Sequence, residues 1–245
     1  MMQEVAAYAQ AIAHQGEQMG LPYIAISHDI GSPIPMFGPD GRPFAETLFR
    51  WLDPDLRYWE DRVVALRAAF VHTTRACAEP FYYADSRLAT WRPNRALEAI
   101  NDAGPIDSMG VGAAIVAPAY RASGAIGVVI WASPDTEVDV PTIFAERAEA
   151  LHALALKFTS AYDEALAGTA AAPVKLTRRE VQCLKWAAAG KTDQEIGEIV
   201  GISLPTVRFH INNASQKMHV MGRSQAVRRA ATLGYVAAGP PARKA

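Results

Sequence analysis

Polar side chains in three short stretches near the C-terminus stand at spacings with a definite hydrogen-bonding chemistry: Thr177 with Glu180, Thr192 with Glu195, and Ser203 ahead of Arg208 and Asn212. The first two are Thr-x-x-Glu pairs, in which each side chain accepts from the other residue's free backbone N–H at the start of a helix. Ser203 offers a third cap oxygen, and Pro205 falls in a first turn, where a missing N–H costs little. Three helices are therefore expected, starting near residues 178, 193 and 204, the third running to about Met218. Gly201 between the second and third can take the positive φ that a sharp exit needs. On the third helix Val207, Ile211, Ala214 and Met218 repeat at helical spacing as a buried stripe, leaving Arg208, Asn212 and Ser215 on another face. An exposed face of that kind is what a DNA major groove would meet.

Other residues with chemical potential do not assemble. Ser27-His28-Asp29 holds the three residue types of a hydrolytic triad, but neighbours on a strand point to opposite faces and cannot converge. Gly110-x-Gly112 lacks a third glycine and opens no helix, so nucleotide binding has no support. His14, His72 and His152 have no companions at metal-ligand spacing, and no cofactor is expected. Cys77 and Cys183 fall in different halves of the chain, which suggests ordinary thiols.

Charge sharpens the division. The chain of 245 residues has a formal net charge of −1, yet residues 173–245 hold 12 Lys and Arg against 4 Asp and Glu, leaving 12 against 21 in residues 1–172. A basic tail on an acidic body is the asymmetry that phosphate neutralisation requires. The small residues Gly168 to Ala172 before Pro173 read as a linker. This gives domains at 1–167 and 175–245 joined by 168–174. No run is apolar enough to span a membrane and no leader pattern opens the chain, so a cytoplasmic protein is expected.

The segment from Leu176 to Tyr235 resembles the DNA-binding domain of the LuxR family. Trp186, Gly190-Lys191-Thr192, Phe209-His210-Ile211, Asn213-Ala214, Lys217 and Gln225-Ala226-Val227 resemble its quorum-sensing branch. The resemblance implies a four-helix module whose last helix, near Ser224 to Leu233, helps two copies pair on a twofold-symmetric operator in double-stranded DNA. It also implies that Arg208 and Asn212 read base edges, Arg208 by a guanidinium fork that can bond guanine O6 and N7 together. Lys191, Thr192, Ser203, Thr206, His210 and Lys217 become candidates for backbone contacts.

Ahead of the linker, apolar runs at Tyr23–Ile30, Val111–Pro118 and Ala125–Ala132 read as strands, the last two as a hairpin. Apolar spacing predicts helices over Asp55–Thr74 and Val140–Leu166. The order resembles the α-β-α sensor domain of the same branch, which holds an acyl-homoserine lactone between sheet and helices. The fold class is thus α+β: an α-β-α sandwich with an antiparallel sheet, then an all-α helix-turn-helix domain. The sensor's polar anchors depart from the family. Ala68-Ala69 stands at its Asp-Pro, Tyr83 at its Trp, Ala114 at its Gly, and Ile130 where a Ser or Thr faces the ligand. A buried amide N–H left without its carboxylate costs roughly 1–3 kcal/mol.

The reading is a homodimeric, non-enzymatic transcription regulator. Its sensor takes a small apolar or aromatic signal against Trp51, Trp59, Ala68, Phe70, Tyr83, Ile130 and Trp131 rather than a standard lactone. The alternatives are a closed, ligand-independent sensor domain, a lactone receptor, or a signal-hydrolysing enzyme. A phosphorylated receiver is disfavoured, because no lysine precedes Lys157 and the segment lacks an alternating strand-helix register.

Overall fold

The computed structural model describes residues 1–53, 55–57, 68–121, 124–167 and 174–237. The chain divides into two compact units, one drawn from Met1–Arg121 and Ala125–Ala170, the other mainly Ala171–Ala245. The expected linker at 168–174 lies almost wholly outside the described residues.

The first unit is built on five strands: β1 (Tyr23–Ser27), β2 (Phe81–Ala84), β3 (Arg87–Ala89), β4 (Ala113–Tyr120) and β5 (Ile126–Ser133). They form one sheet in the order β1-β5-β4-β2-β3, every neighbouring pair antiparallel. The expected hairpin is β4–β5, and β1 is shorter than its apolar run because the chain turns away after Ser27. Side chains alternate along each strand, so the two faces feed separate cores. Ile24, Ile26, Ile115, Val129 and Trp131 pack beneath α1 (Met2–Gln18) and α5 (Val140–Ala167) with Ile12, Phe144, Leu151 and Phe158. Ala25, Ala114, Val116, Val128 and Ile130 face Phe70 of α3 (Ala69–Ala76) and Leu97 of α4 (Arg95–Asp102). A short α2 (Phe44–Thr47) adds Phe44 to the first core. Burial on both faces explains why β4 and β5 read as continuous apolar runs rather than alternating ones. This is the α-β-α sandwich. The helix expected over 55–74 is different: residues 55–57 are not helical, 58–67 lie outside the described residues, and a helix is present at Ala69–Ala76.

The second unit is helical: α6 (Arg178–Ala188), α7 (Asp193–Val200), α8 (Leu204–Lys217) and α9 (Gly222–Thr232). Both Thr-x-x-Glu pairs form complete capping boxes, and Ser203 caps α8 with Pro205 in its first turn. Gly201 ends α7 in the left-handed region at φ 72°. A second glycine also shapes the turn. A Cβ on Gly197 would stand 2.7 Å from the Ile202 carbonyl oxygen, too close for any side chain. Val207, Ile211, Ala214 and Met218 are buried as the stripe requires. Ser215 is a correction, since it is only 5% exposed and its hydroxyl donates to the Ile211 carbonyl four residues back. Its polarity is satisfied within the helix, which lets it turn inward.

Candidate nucleic-acid interface and apolar cavity

The outer side of α8 presents Arg208 and Asn212, both exposed, one helical turn apart. The Arg208 side chain is 65% exposed, with Nε 3.5 Å from Oδ2 of Asp193 at the start of α7. Next to it Phe209 is 59% exposed, and its ring meets that of His210 edge-on at 5.7 Å. Around this face stand the remaining residues expected from sequence. Ser203 and Thr206 share a hydroxyl–hydroxyl bond of 2.8 Å at the N-terminus of α8. Lys191 Nζ donates to Glu195 Oε1 at 2.9 Å, and Thr192 donates to the other carboxylate oxygen through its backbone N–H and hydroxyl. The Thr192 backbone bond, then Lys191, hold the Glu195 carboxyl down to about 2. The positive ends of two helices, with lysine and hydroxyls beside them, suit phosphate oxygens.

Lys217 has a second task. Its Nζ donates to both oxygens of Glu180 at 2.8 and 2.9 Å, and Glu180 is 2% exposed. Burial by itself would raise the Glu180 carboxyl, but the bonds from Lys217 and Thr177 outweigh it and hold the group below its ordinary value. The C-terminal end of α8 is thereby tied to the capping box of α6. Spacing in the sequence had no means of revealing this, because the partners are 37 residues apart. The same holds for Asp193, which is reached by Arg208 and by Arg223 of α9.

In the first unit an apolar cavity of about 90 Å³ opens between the second sheet face and α3. Trp51, Ala68, Phe70 and Ile130 line it, as the sequence suggested. Tyr83 backs the wall instead, packed edge-on against Phe70 at 5.4 Å. Trp131 is a correction. It follows Ile130 on β5 and so points to the opposite face, where it is fully buried and its indole N–H donates to the Ile12 carbonyl at 3.0 Å. Trp59 lies outside the described residues. Sequence reasoning missed Ser27, Ser32, Asp107 and Ser108, which give the cavity its polar part. They sit in irregular segments or at a strand end, where no periodicity flags them. Ser27 and His28 diverge: Ser27, the last residue of β1, lines the cavity, whereas the ring of His28, just past the strand, packs against Tyr162 at 5.2 Å. Burial and the charge of Arg121 lower the His28 pKa. Cys77 and Cys183 are free and buried in separate units. Among the described residues no helix is long and apolar enough to cross a membrane.

Residues 174–230 match the family model for bacterial regulatory proteins of the luxR family. The transcriptional activator protein PhzR of Pseudomonas fluorescens is 33% identical over 121 residues, 49% of this chain and 49% of PhzR. The activator VanR of Vibrio anguillarum is 49% identical over 61 residues, a quarter of each protein. The matched stretches thus span half or less of these relatives. A crystal structure of Escherichia coli SdiA superposes with a TM-score of 0.50 at 19% identity, covering 96% of this chain and 92% of SdiA. That likeness is one of fold, and it extends over both units.

Proposed function

We propose that this chain, whose residues 174–230 are a luxR-family helix-turn-helix domain, is a one-component transcription regulator that binds twofold-symmetric DNA as a homodimer. The observation that carries the reading is the exposed Arg208–Asn212 face on a fully capped helix, within a segment of 12 basic against 4 acidic residues. Arg208 and Asn212 read base edges, and Lys191, Thr192, Ser203, Thr206 and His210 meet the phosphate backbone. Lys217 adds to the backbone contacts with whatever charge its bond to Glu180 leaves available. Two recognition helices must then stand about 34 Å apart to enter adjacent major grooves.

Residues 1–167 act as the sensor, 168–174 as the linker and 175–245 as the output. The signal is small and apolar or aromatic, and not a standard acyl-homoserine lactone. Ala68 and Ile130 stand at the cavity wall where a carboxylate and a hydroxyl would be needed, and the wall offers apolar surface in their place. The cavity volume favours a second reading alongside it. About 90 Å³ is well below the roughly 300–1,000 Å³ of sites that hold drug-sized ligands. It is also below the roughly 150 Å³ engineered cavity that admits benzene. A sensor domain that is closed and needs no ligand fits that volume. Native mass spectrometry of protein purified from its own host separates the two. A stoichiometric co-purifying small molecule supports the sensor, and its absence together with full duplex binding supports the closed domain. Failure to bind any duplex from a random-sequence pool overturns the regulator reading itself.

A further inference from the structure

One carboxylate joins three helices behind the reading face. Asp193 is the first residue of α7; its Oδ2 faces Nε of Arg208 on α8 at 3.5 Å, and its Oδ1 is bonded by Nη1 of Arg223 on α9. Arg223 is itself anchored, because its Nη2 donates to the Lys191 carbonyl in the turn before α7. The Arg208 side chain is 65% exposed, whereas Asp193 and Arg223 are 24% and 33% exposed. Each carboxylate oxygen therefore serves one arginine, the inner one held and the outer one free to reach solvent.

The position of the contact on Arg208 matters. Nε lies at the base of the guanidinium, so a carboxylate there leaves the Nη1 and Nη2 edge pointing away from it. That edge is the one a guanine would meet with its O6 and N7. An arginine without a partner must give up rotamer freedom on binding, whereas one with a carboxylate already beside its Nε gives up less. The same carboxylate also opposes phosphate. A negative charge beside the groove weakens attraction to any duplex, enriched or not, so that effect leaves selectivity unchanged.

We propose that Asp193 is a positioning residue for base recognition: fixed by Arg223, it holds the Arg208 guanidinium at Nε and aims its Nη edge at the base. This rests on the DNA-binding reading above. Since partly exposed ion pairs contribute little to stability, its effect belongs in selectivity rather than in folding.

The test uses the full chain. A duplex enriched by the wild-type protein from a random-sequence pool is compared with unselected duplex at two salt concentrations, for wild type, Asp193→Asn, Arg208→Ala and the double variant. An arginine–guanine pair discriminates by about 5- to 150-fold, and loss of its orienting partner should forfeit part of that, about 3- to 10-fold. The loss should come mainly from weaker binding of the enriched duplex, with unselected duplex bound at least as tightly as by wild type. In the Arg208→Ala background Asp193→Asn should leave selectivity unchanged, since its target is gone. Unaltered selectivity in Asp193→Asn, or an equal drop with and without Arg208, overturns the proposal. If Asp193→Asn loses helical circular dichroism, Arg223→Met decides instead: a fall in selectivity supports the chain of contacts, and wild-type selectivity refutes it. Wild-type protein that binds neither duplex refutes the functional reading, and this inference with it.

Discussion

Replacing Glu180 by alanine removes one side chain that does two jobs, and the structure allows the loss to be sized. Glu180 accepts from the Thr177 backbone N–H at 2.7 Å, completing the α6 capping box, and from Lys217 Nζ through both oxygens. A lost cap costs about 0.5–2 kcal/mol, and hydrogen bonds to a charged group contribute about 1.5–3 kcal/mol. A fully buried pair broken on one side would cost about 3–5 kcal/mol, but Lys217 is 40% exposed and can regain water, which trims that figure. The expected destabilisation of the C-terminal unit is therefore about 2–4 kcal/mol. Hydrogen-exchange mass spectrometry of the full chain resolves this unit from the other. Peptides from α6 and α8 should exchange about 30- to 1,000-fold faster, while those from α1 and β5 keep their wild-type rates. Because the folded-state carboxyl lies below the ordinary 4.5, its contribution is present in full above that value. It fades as pH falls through the folded-state pKa, so wild type and Glu180→Gln should converge in acid. A change below about threefold in both helices, or a wild-type advantage that persists in strong acid, would refute the reasoning.

Three further outcomes are expected. Arg208→Ala should cost about 1–3 kcal/mol on an enriched duplex and relax preference at one base pair, whereas Lys191→Ala should weaken all duplexes alike and lower the salt slope by about one; fluorescence anisotropy across salt concentrations reads both, and equal losses for Arg208→Ala on enriched and random duplex would contradict it. Gly197→Ala should destabilise the turn between α7 and α8 by about 1–3 kcal/mol through contact with the Ile202 carbonyl, seen as accelerated exchange there, and wild-type rates would mean the backbone yields at little cost. Ala68→Asp combined with Ile130→Ser places a carboxylate and a hydroxyl on the cavity wall and should raise acyl-homoserine lactone affinity about 5- to 150-fold by calorimetry. No gain would mean that the cavity's size, rather than its missing anchors, excludes lactones.

Helix starts were legible because a cap is a local event: Thr177, Thr192 and Ser203 act on backbone groups within three residues, and all three caps form. The stripe Val207–Ile211–Ala214–Met218 was legible for the related reason that helical periodicity and burial coincide. Ser215 escaped the pattern by bonding its own helix. Trp131 was misplaced although strand parity would have separated it from Ile130, since a strand buried on both faces has no polar residue to mark which side is which.

Local spacing by itself therefore determined where three helices of the C-terminal unit begin, which residue of α8 reaches outward, and that the first unit carries an antiparallel hairpin. Tertiary structure alone decided that Glu180 braces Lys217, that Asp193 lies between Arg208 and Arg223, and that Ala68 and Ile130 line a cavity of about 90 Å³. The physical reason is range. Caps and stripes are settled by neighbours within a turn or two, whereas a shared carboxylate or a cavity volume depends on side chains brought together from distant parts of the chain.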